Sequence, residues 1–320
     1  MGIDFERIAV IGAGPVGSLA AAYLARSGRS ILLSDSRSDR IETVRERGVR
    51  VEGKADHFTR RLAAADVSKA GLPAFRPNAV FLCVKSFSLP GLLDDLAGLF
   101  GPETVILVMQ NGLDNEDAVA ERFGADRVLR AVVHFAGALL EPGVVRMMFF
   151  NPPNYIGALT PAGAPAAERL AAVFTEAGLA AAAVPDIKRH EWIKAILSAA
   201  LMPVCGPTGM TMKEALALSE TRTLCERILQ ESISVAASRG FVFGESFFSD
   251  CLDYLMKADN HKPSSSVDLE AGLPVEYVFQ PIIDAGHASR TPTPCLEALT
   301  LVMRALEKRR DRTGKLGPHI

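Results

Sequence analysis

A glycine-rich turn between an apolar strand and an apolar helix constrains the fold of this chain more than any other feature. Residues 8–11 form an apolar run, Gly12, Gly14 and Gly17 follow in a GxGxxG pattern, and an Ala-rich segment of helical period covers residues 16–27. This order is typical of a βαβ unit that binds a dinucleotide, because the glycines permit a tight turn, close approach of the pyrophosphate and close helix–strand packing. The helix N-terminus also directs its N–H groups toward the phosphates. A loop that only turns the chain is the alternative. The pattern predicts nucleotide contacts from the whole turn: Gly12, Ala13, Gly14, Pro15, Val16 and Gly17.

The composition is that of an ordinary globular protein without a pronounced charge. The 320 residues are 48% hydrophobic and 22% charged, which is enough apolar material for two domains with substantial cores. The formal net charge of −2 provides no basic field that would attract nucleic acid or an anionic membrane. We therefore expect neither nucleic acid nor a membrane as a partner.

The cysteines indicate a reducing compartment. There are 5 of them, an odd number, and they are widely spaced with no CxxC pair. This spacing argues against a disulfide framework and a zinc site, and the histidines show no metal-ligand spacing, so no metal is expected. We see no signal peptide before the first strand, and the longest apolar run, residues 195–205, is too short to span a bilayer. These observations predict a cytoplasmic protein.

An acidic residue closes the second predicted strand, at the position that selects the nucleotide in a βαβ unit. Residues 30–34 form the strand, and Asp35 follows 18 residues after Gly17. An acid here accepts hydrogen bonds from the ribose hydroxyls and repels a 2′-phosphate, so Asp35 favours NAD(H) over NADP(H). Arg37 and Arg40 stand close by and partly offset that repulsion.

Strand-like and helix-like segments alternate over the first part of the chain. Continuous apolar runs at residues 79–84 and 104–109 are typical of strands buried inside a parallel sheet. The alternation predicts an α/β Rossmann domain over residues 1–185, with a doubly wound, mostly parallel sheet and an antiparallel addition.

The pattern changes near Pro185, after which almost every segment has a helical period. We predict an all-α C-terminal domain over residues 186–320, which serves the substrate and dimerisation. Its predicted helices cover about residues 187–200, 213–239, 246–257, 276–288 and 294–310.

Polar side chains at two strand ends are candidate ligand contacts. Lys85 directly follows one buried run, and Asn111 follows the next. Open α/β sheets bind ligands at the carboxyl ends of their strands, so both side chains are placed to reach a nucleotide or a substrate. A solvated lysine at the start of a loop and a common Asn-Gly turn are the alternatives.

Three places in the helical domain carry residues suited to catalysis or substrate binding. Lys194 begins a very apolar stretch beside the only tryptophan, and a partly desolvated lysine has a lowered pKa that suits proton donation. A surface lysine that extends its charge into water is the alternative. Ser264, Ser265 and Ser266 lie at a predicted helix start, where they would cap the helix or bind a carboxylate. Glu276 is the third candidate, although a lone glutamate on a helix is usually solvated.

As an ordered set, these residues resemble the ketopantoate reductase (2-dehydropantoate 2-reductase) family over nearly the full chain. Each motif is weak alone, whereas the set at family-like spacing is specific. The resemblance implies a Rossmann domain, a helical domain, an active site in the cleft between them, and NADP(H) as the usual cofactor. The matching motifs are the glycine turn, Lys85, Asn111-Gly112, Pro142-Gly143, Trp192-x-Lys194, Pro263-Ser264 with Asp268, and Glu276.

The resemblance also implies roles for individual residues. Lys194 matches the catalytic lysine, which protonates or polarises the substrate carbonyl as hydride arrives. Asn111 matches an asparagine that contacts both cofactor and substrate, and Ser264 matches a serine that binds the keto acid. Glu276 matches a glutamate near the nicotinamide and the lysine, which gives it a catalytic and a cofactor-binding role. Two further residues match cofactor contacts: Lys85 and Ala136.

This sequence departs from the family pattern where the substrate is held. Asparagines usually follow the lysine by four and eight residues, and here those positions are Ser198 and Met202; a third asparagine falls at Met212. The arginine that many members carry after the second strand falls near Ser36. Ser198 and Met202 are therefore predicted to line a substrate site with fewer donors and more apolar surface. The expected substrate is a 2-keto acid with a branched or aromatic side chain.

Three functions are consistent with these residues. The leading one is nicotinamide-dependent reduction of a 2-keto acid to a 2-hydroxy acid, by a protein that the family resemblance predicts to be a homodimer. The second is authentic 2-dehydropantoate 2-reductase activity in pantothenate synthesis. The third is a non-catalytic NAD(P)-binding sensor module, against which Lys194, Asn111 and Glu276 argue, because a protein that only binds needs no proton donor.

Overall fold

The computed structural model describes residues 4–53, 56–66, 71–257, 260–275 and 278–313. The chain divides into two compact units. The first, called the Rossmann unit below, comprises Met1–Gln110 and Asp114–Ile187. The second, called the helical unit, comprises Asn111–Leu113 and Lys188–Ile320.

The Rossmann unit contains strands and helices in nearly equal amounts. In chain order, its described strands are β1 (Arg7–Ile11), β2 (Ser30–Asp35), β3 (Val49–Glu52), β4 (Phe58–Arg60), β5 (Ala63–Asp66), β6 (Ala79–Leu82), β7 (Val105–Val108), β8 (Val128–Val132), β9 (Phe135–Glu141), β10 (Val144–Phe150), β11 (Asn154–Ala158) and β12 (Ala181–Ala183).

Eight of these strands form the main sheet, in the order β12-β11-β8-β7-β6-β1-β2-β5. Six consecutive strands of this order, β8-β7-β6-β1-β2-β5, are parallel to one another. β1 lies inside this set and pairs with both β2 and β6. β11 pairs antiparallel with β8 and carries β12 parallel to itself. The predicted mostly parallel sheet with an antiparallel addition is confirmed.

Helices cover both faces of the main sheet, as its apolar strands require. The described helices are α1 (Pro15–Arg26), α2 (Ser38–Arg47), α3 (Gly71–Phe75), α4 (Leu89–Leu96), α5 (Asn115–Phe123) and α6 (Ala164–Glu176). On one face Leu19 of α1 and Phe174 of α6 share a core with Phe81, while on the other Leu96 of α4 and Val119 of α5 pack with Val80. Neighbouring residues of β6 thus serve opposite cores, which is the doubly wound arrangement that the sequence predicts.

A second sheet of four strands, in the order β4-β3-β10-β9, was not anticipated as a separate layer. β3 pairs parallel with β10, although almost a hundred residues separate them, and the two outer pairs are antiparallel. Pairing over such a sequence distance leaves no local pattern, so the sequence of β3 does not indicate its partner. This sheet packs on α1, where Gly137 of β9 lies so close that an added Cβ would be 2.8 Å from Leu19.

The helical unit consists of helices around its own apolar core, as predicted. Its described helices are α7 (Ile187–Thr208), α8 (Met212–Ala217), α9 (Ser219–Ser238), α10 (Phe247–Leu255), α11 (Ser264–Ala271), α12 (Gln280–Ser289) and α13 (Pro294–Thr313). The predicted single helix at residues 213–239 is wrong, because the chain is extended at Leu218 and two helices result. The first of them starts at a capping box formed by Thr211 and Glu214, a local motif that the sequence contains.

Among the residues that the structure describes, no helix combines the length and the apolar character that crossing a bilayer requires. The longest helix within the described residues, α7, contains several charged residues and two prolines.

Candidate active site

Two glycines of the turn after β1 are required by packing alone. Gly12 has a φ of +108°, a conformation that side chains rarely adopt, and an added Cβ would lie 2.8 Å from the backbone of Cys83. At Gly17 an added Cβ would lie 1.9 Å from the carbonyl oxygen of Gly12. The turn therefore sits directly against the chain that leaves β6, and α1 sits directly against the turn.

Gly14 differs from its two neighbours in the motif, because protein packing does not require it. A Cβ at this position would meet no protein atom within 4 Å, and its φ of −76° suits any residue. Gly14 is the N-cap of α1, and no side chain makes a capping hydrogen bond there, so no side chain occupies the anion site that a helix N-terminus offers. This cradle fits a pyrophosphate, which needs both close backbone approach and a helix N-terminus.

Replacing Gly14 by alanine should weaken nucleotide binding by about tenfold or more while leaving the melting temperature unchanged, because the new methyl group points into the cradle and not into the protein. Fluorescence titration of NADH and thermal unfolding measure the two effects. Gly91→Ala is the matched control, since Gly91 also has open space around it but lies in α4. Equal affinity of the Gly14→Ala variant and the unmodified protein would contradict the assignment.

The carboxylate of Asp35 at the end of β2 is held by the protein on both oxygens. Oδ2 accepts the backbone N–H of Ala13 over 2.7 Å, and Oδ1 accepts the backbone N–H of Arg37 over 2.9 Å. Arg40 approaches Oδ2 to 3.4 Å. Asp35 is only 8% exposed. Sequence analysis assigned this residue to the nucleotide alone, whereas the structure shows that it also connects the glycine turn to the start of α2. Each carboxylate oxygen can accept more than one hydrogen bond, so these contacts are compatible with ribose binding.

The remaining cofactor candidates of the Rossmann unit lie on segments that contact the glycine turn or α1. Lys85 is half-buried, three residues after β6, and caps a short 3₁₀ turn at Ser86–Ser88. The backbone of Cys83, two residues earlier, touches Gly12. Burial raises the pKa of the Cys83 thiol to about 12, so this sulfur stays protonated and neutral. Ala136 lies in β9, beside the glycine that packs on α1.

Along α7, three predicted residues share one helical face. Lys194, Ser198 and Met202 follow each other at intervals of four, which places them one above the other. Lys194 and Ser198 are half-buried, whereas Met202 is 9% exposed and belongs to the apolar core of the helical unit. Trp192 is buried on another side of the helix and packs on the ring of Phe241, with a centroid distance of 5.6 Å.

The serines at the start of α11 do not cap it. The N-cap is Pro263, and no side chain in the described segment makes a capping hydrogen bond. Ser264 is half-buried at the first helical position, and the hydroxyls of Ser265 and Ser266 are buried without a hydrogen-bond partner. The prediction that these serines cap the helix is therefore wrong. That Ser264 binds a ligand stays a prediction.

The remaining candidates lie on segments other than the glycine turn, α7 and α11. Asn111 belongs by its contacts to the helical unit, together with Gly112 and Leu113. Met212, the first residue of α8, is half-buried against the helical core. Glu276 lies outside the described residues. The five cysteines, all within the described residues, are free thiols.

The glycine turn before α1 and the acid at the end of β2 are typical of a Rossmann unit that binds NAD(P), as in NAD(P)-dependent oxidoreductases. Comparison with protein families narrows this class. Residues 8–161 match the model described as ketopantoate reductase PanE/ApbA, and residues 186–307 match the model of its C-terminal part. The chain belongs to the ketopantoate reductase family.

Individual relatives agree with this assignment. A 2-dehydropantoate 2-reductase of Mesorhizobium japonicum is 28% identical in an alignment 333 positions long, which spans 94% of this chain and 97% of the relative. The crystal structure of 2-dehydropantoate 2-reductase from Methylococcus capsulatus is 30% identical, with a TM-score of 0.81 and coverage of 95% and 97%. A ternary structure of D-mandelate dehydrogenase with NADH and anilino(oxo)acetate shares the fold, with a TM-score of 0.88, 22% identity and coverage of 95% and 99%.

The predicted family, fold class and enzyme class are thus confirmed: the protein is an NAD(P)-dependent oxidoreductase that reduces a 2-keto acid.

Proposed function

We propose that the protein reduces a 2-keto acid with a more apolar side chain than ketopantoate, and that it uses NADH in preference to NADPH. The observation that carries the first part is the face of α7 on which Ser198 and Met202 follow Lys194. Two positions that hold amides in the family hold a hydroxyl and a thioether here. A thioether offers a flexible apolar surface and hardly accepts a hydrogen bond, so it gives no preference to a substrate hydroxyl.

The proposed mechanism assigns one task to each residue. When bound, NAD(P)H supplies the hydride. Lys194 donates a proton, or a strong hydrogen bond, to the carbonyl oxygen on which negative charge develops. Ser264 and the N–H groups at the start of α11 hold the substrate carboxylate. Asn111 orients the reacting groups, and Glu276 positions the ammonium of Lys194.

The nucleotide contacts are proposed on the same terms. The turn from Gly12 to Gly17 binds the pyrophosphate, while Lys85 and Ala136 border the nucleotide. The preference for NADH rests on Asp35, a buried carboxylate beside the position of the ribose hydroxyls. Asp35 would repel a second negative group there, the 2′-phosphate. Arg40 already pairs with Asp35 at 3.4 Å, so its charge is partly offset.

Steady-state kinetics on a panel of 2-keto acids tests the substrate proposal. We expect kcat/KM for branched aliphatic and aromatic 2-keto acids to exceed that for ketopantoate by about tenfold or more, because the substrate hydroxyl finds few partners. The Met202→Asn variant should raise the relative rate on ketopantoate, and Met202→Leu, which keeps the site apolar, is its control. A kcat/KM for ketopantoate far above all other substrates would overturn the proposal.

That outcome would favour the second candidate, authentic 2-dehydropantoate 2-reductase activity, which the names of the relatives at 28–30% identity support. A 2-keto acid with an apolar side chain is compatible with the fold, because a D-mandelate dehydrogenase of the same fold binds anilino(oxo)acetate together with NADH. The homodimer and the cytoplasmic location stay predictions.

A further inference from the structure

Four charged side chains gather where β2 passes into α2. Asp35 ends the strand, Arg37 precedes the helix, and Asp39 and Arg40 lie in its first turn. The two positive and two negative charges cancel. A nucleotide with a 2′-phosphate would bring further negative charge to this corner of a Rossmann unit. Its affinity therefore depends on whether the two arginines are available to bind the phosphate.

Arg37 is held in place at both ends. Its backbone N–H donates to Asp35 over 2.9 Å, which fixes the start of its side chain beside the carboxylate that the proposed function assigns to the ribose. At the other end, Nε donates to Oδ1 of Asp39 over 3.1 Å and Nη2 donates to Oδ2 over 2.7 Å. This is a bidentate arginine–carboxylate pair, the geometry that an arginine also uses to bind a phosphate.

The Arg37–Asp39 pair therefore uses the donors that a 2′-phosphate would need. The hydrogen bonds from Arg37 hold the pKa of Asp39 below its ordinary value. The carboxylate is therefore charged at neutral pH and keeps its ion pair with Arg37. Arg40, the other cation at the corner, is drawn to Asp35 at 3.4 Å. Each arginine is thus offset by an aspartate.

We propose that Asp39 is a residue that determines nucleotide specificity: it binds the guanidinium of Arg37 and withholds it from a 2′-phosphate. The inference rests on the proposed preference for NADH and extends it from Asp35 to a second acid. Asp35 acts by repulsion at the ribose, whereas Asp39 acts by occupying the cation that would otherwise compensate. Without Asp39, Arg37 would be free to bind a phosphate, and the net charge of the corner would become positive.

The Asp39→Asn variant tests the proposal by direct binding. Asparagine is tolerated in the first turn of a helix and removes one negative charge from the partner of Arg37. Fluorescence titration should show NADPH binding about three- to tenfold tighter than to the unmodified protein, because an exposed ion pair is weak and the released guanidinium gains a stronger anion. NADH binding should change by less than about twofold.

Two further variants separate this effect from a general change in charge. Glu42→Gln removes one negative charge from the exposed surface of the same helix, three residues further on, and should leave the NADPH affinity nearly unchanged. In the Asp39→Asn background, Arg37→Ala should abolish the gain, because the gain requires the released guanidinium. Thermal unfolding of each variant checks that α2 is intact.

Three results would overturn the proposal: no gain in NADPH affinity in Asp39→Asn, an equal gain in Glu42→Gln, or a gain that survives Arg37→Ala. The binding assay needs no keto acid, so it is independent of the substrate that the enzyme uses. If the unmodified protein bound NADPH more tightly than NADH, the proposed NADH preference would fail, while the difference between Asp39→Asn and its controls would still report on Asp39.

Discussion

Replacing Lys194 by alanine should lower kcat by about 10²- to 10⁴-fold while nucleotide binding stays within about twofold of the unmodified protein. The ammonium group stabilises charge that develops on the carbonyl oxygen only as hydride is transferred, so its loss falls on the chemical step. Lys194 is half-buried on α7 rather than in the core, and alanine is the best helix former, so the fold should persist. Stopped-flow single-turnover measurements and NADH titration give the two quantities.

A matched lysine provides the control for this experiment. Lys213 lies exposed on α8 in the same unit, and Lys213→Ala should leave kcat unchanged. Lys194→Arg keeps a positive charge but cannot give up a proton near neutral pH, so it should recover only part of the lost rate. A kcat in Lys194→Ala within about threefold of the unmodified enzyme would contradict the assigned role. If the unmodified protein bound the nucleotide but showed no turnover, that result would instead match the sensor alternative.

Much of the Rossmann unit could be predicted from sequence, because its determinants are local. The apolar runs that became β6 and β7 are continuous, and continuous runs of this length identify strands buried on both faces. Gly12 and Gly17 could be placed because backbone conformation and close packing leave no alternative to glycine at those points. The family resemblance then correctly located the chain among ketopantoate reductases.

The features that sequence analysis missed depend on contacts between distant segments. The second sheet brings β3 beside β10, and no pattern within either strand names its partner. The protein contacts of Asp35 and the pairing of Arg37 with Asp39 depend on how α2 leaves β2, which residue types alone do not specify. The break at Leu218 was hidden because both flanking segments have a helical period.

A buried ion pair, Glu116 with Arg130, is a further contact of this kind. Glu116 lies near the start of α5 and is 0% exposed, and Arg130 lies on β8 and is 2% exposed. The guanidinium Nε is 3.4 Å from Oε2 of Glu116, and Nη1 donates to the carbonyl of Val108 over 3.3 Å. Nothing in the sequence of a buried strand indicates that its one arginine meets an acid. The pair connects α5 to the two neighbouring strands β7 and β8.

Breaking this pair should destabilise the Rossmann unit by about 3–5 kcal/mol, because removal of either partner takes an opposite charge away from a buried ion. Arg130→Met and Glu116→Gln should therefore each lower the melting temperature by roughly 10 °C, measured by far-UV circular dichroism. Arg222→Met is the matched control: Arg222 pairs with Glu226 at 2.8 Å on the surface of α9, and loss of an exposed pair should cost less than about 1 kcal/mol.

Replacing both buried partners by apolar residues, as in Glu116→Leu with Arg130→Met, should recover much of the loss, since a well-packed apolar pair avoids desolvation of both charges. If Arg130→Met melted no lower than Arg222→Met, the pair would not stabilise the unit, and the packing of α5 on β8 would have to rest on apolar contacts alone.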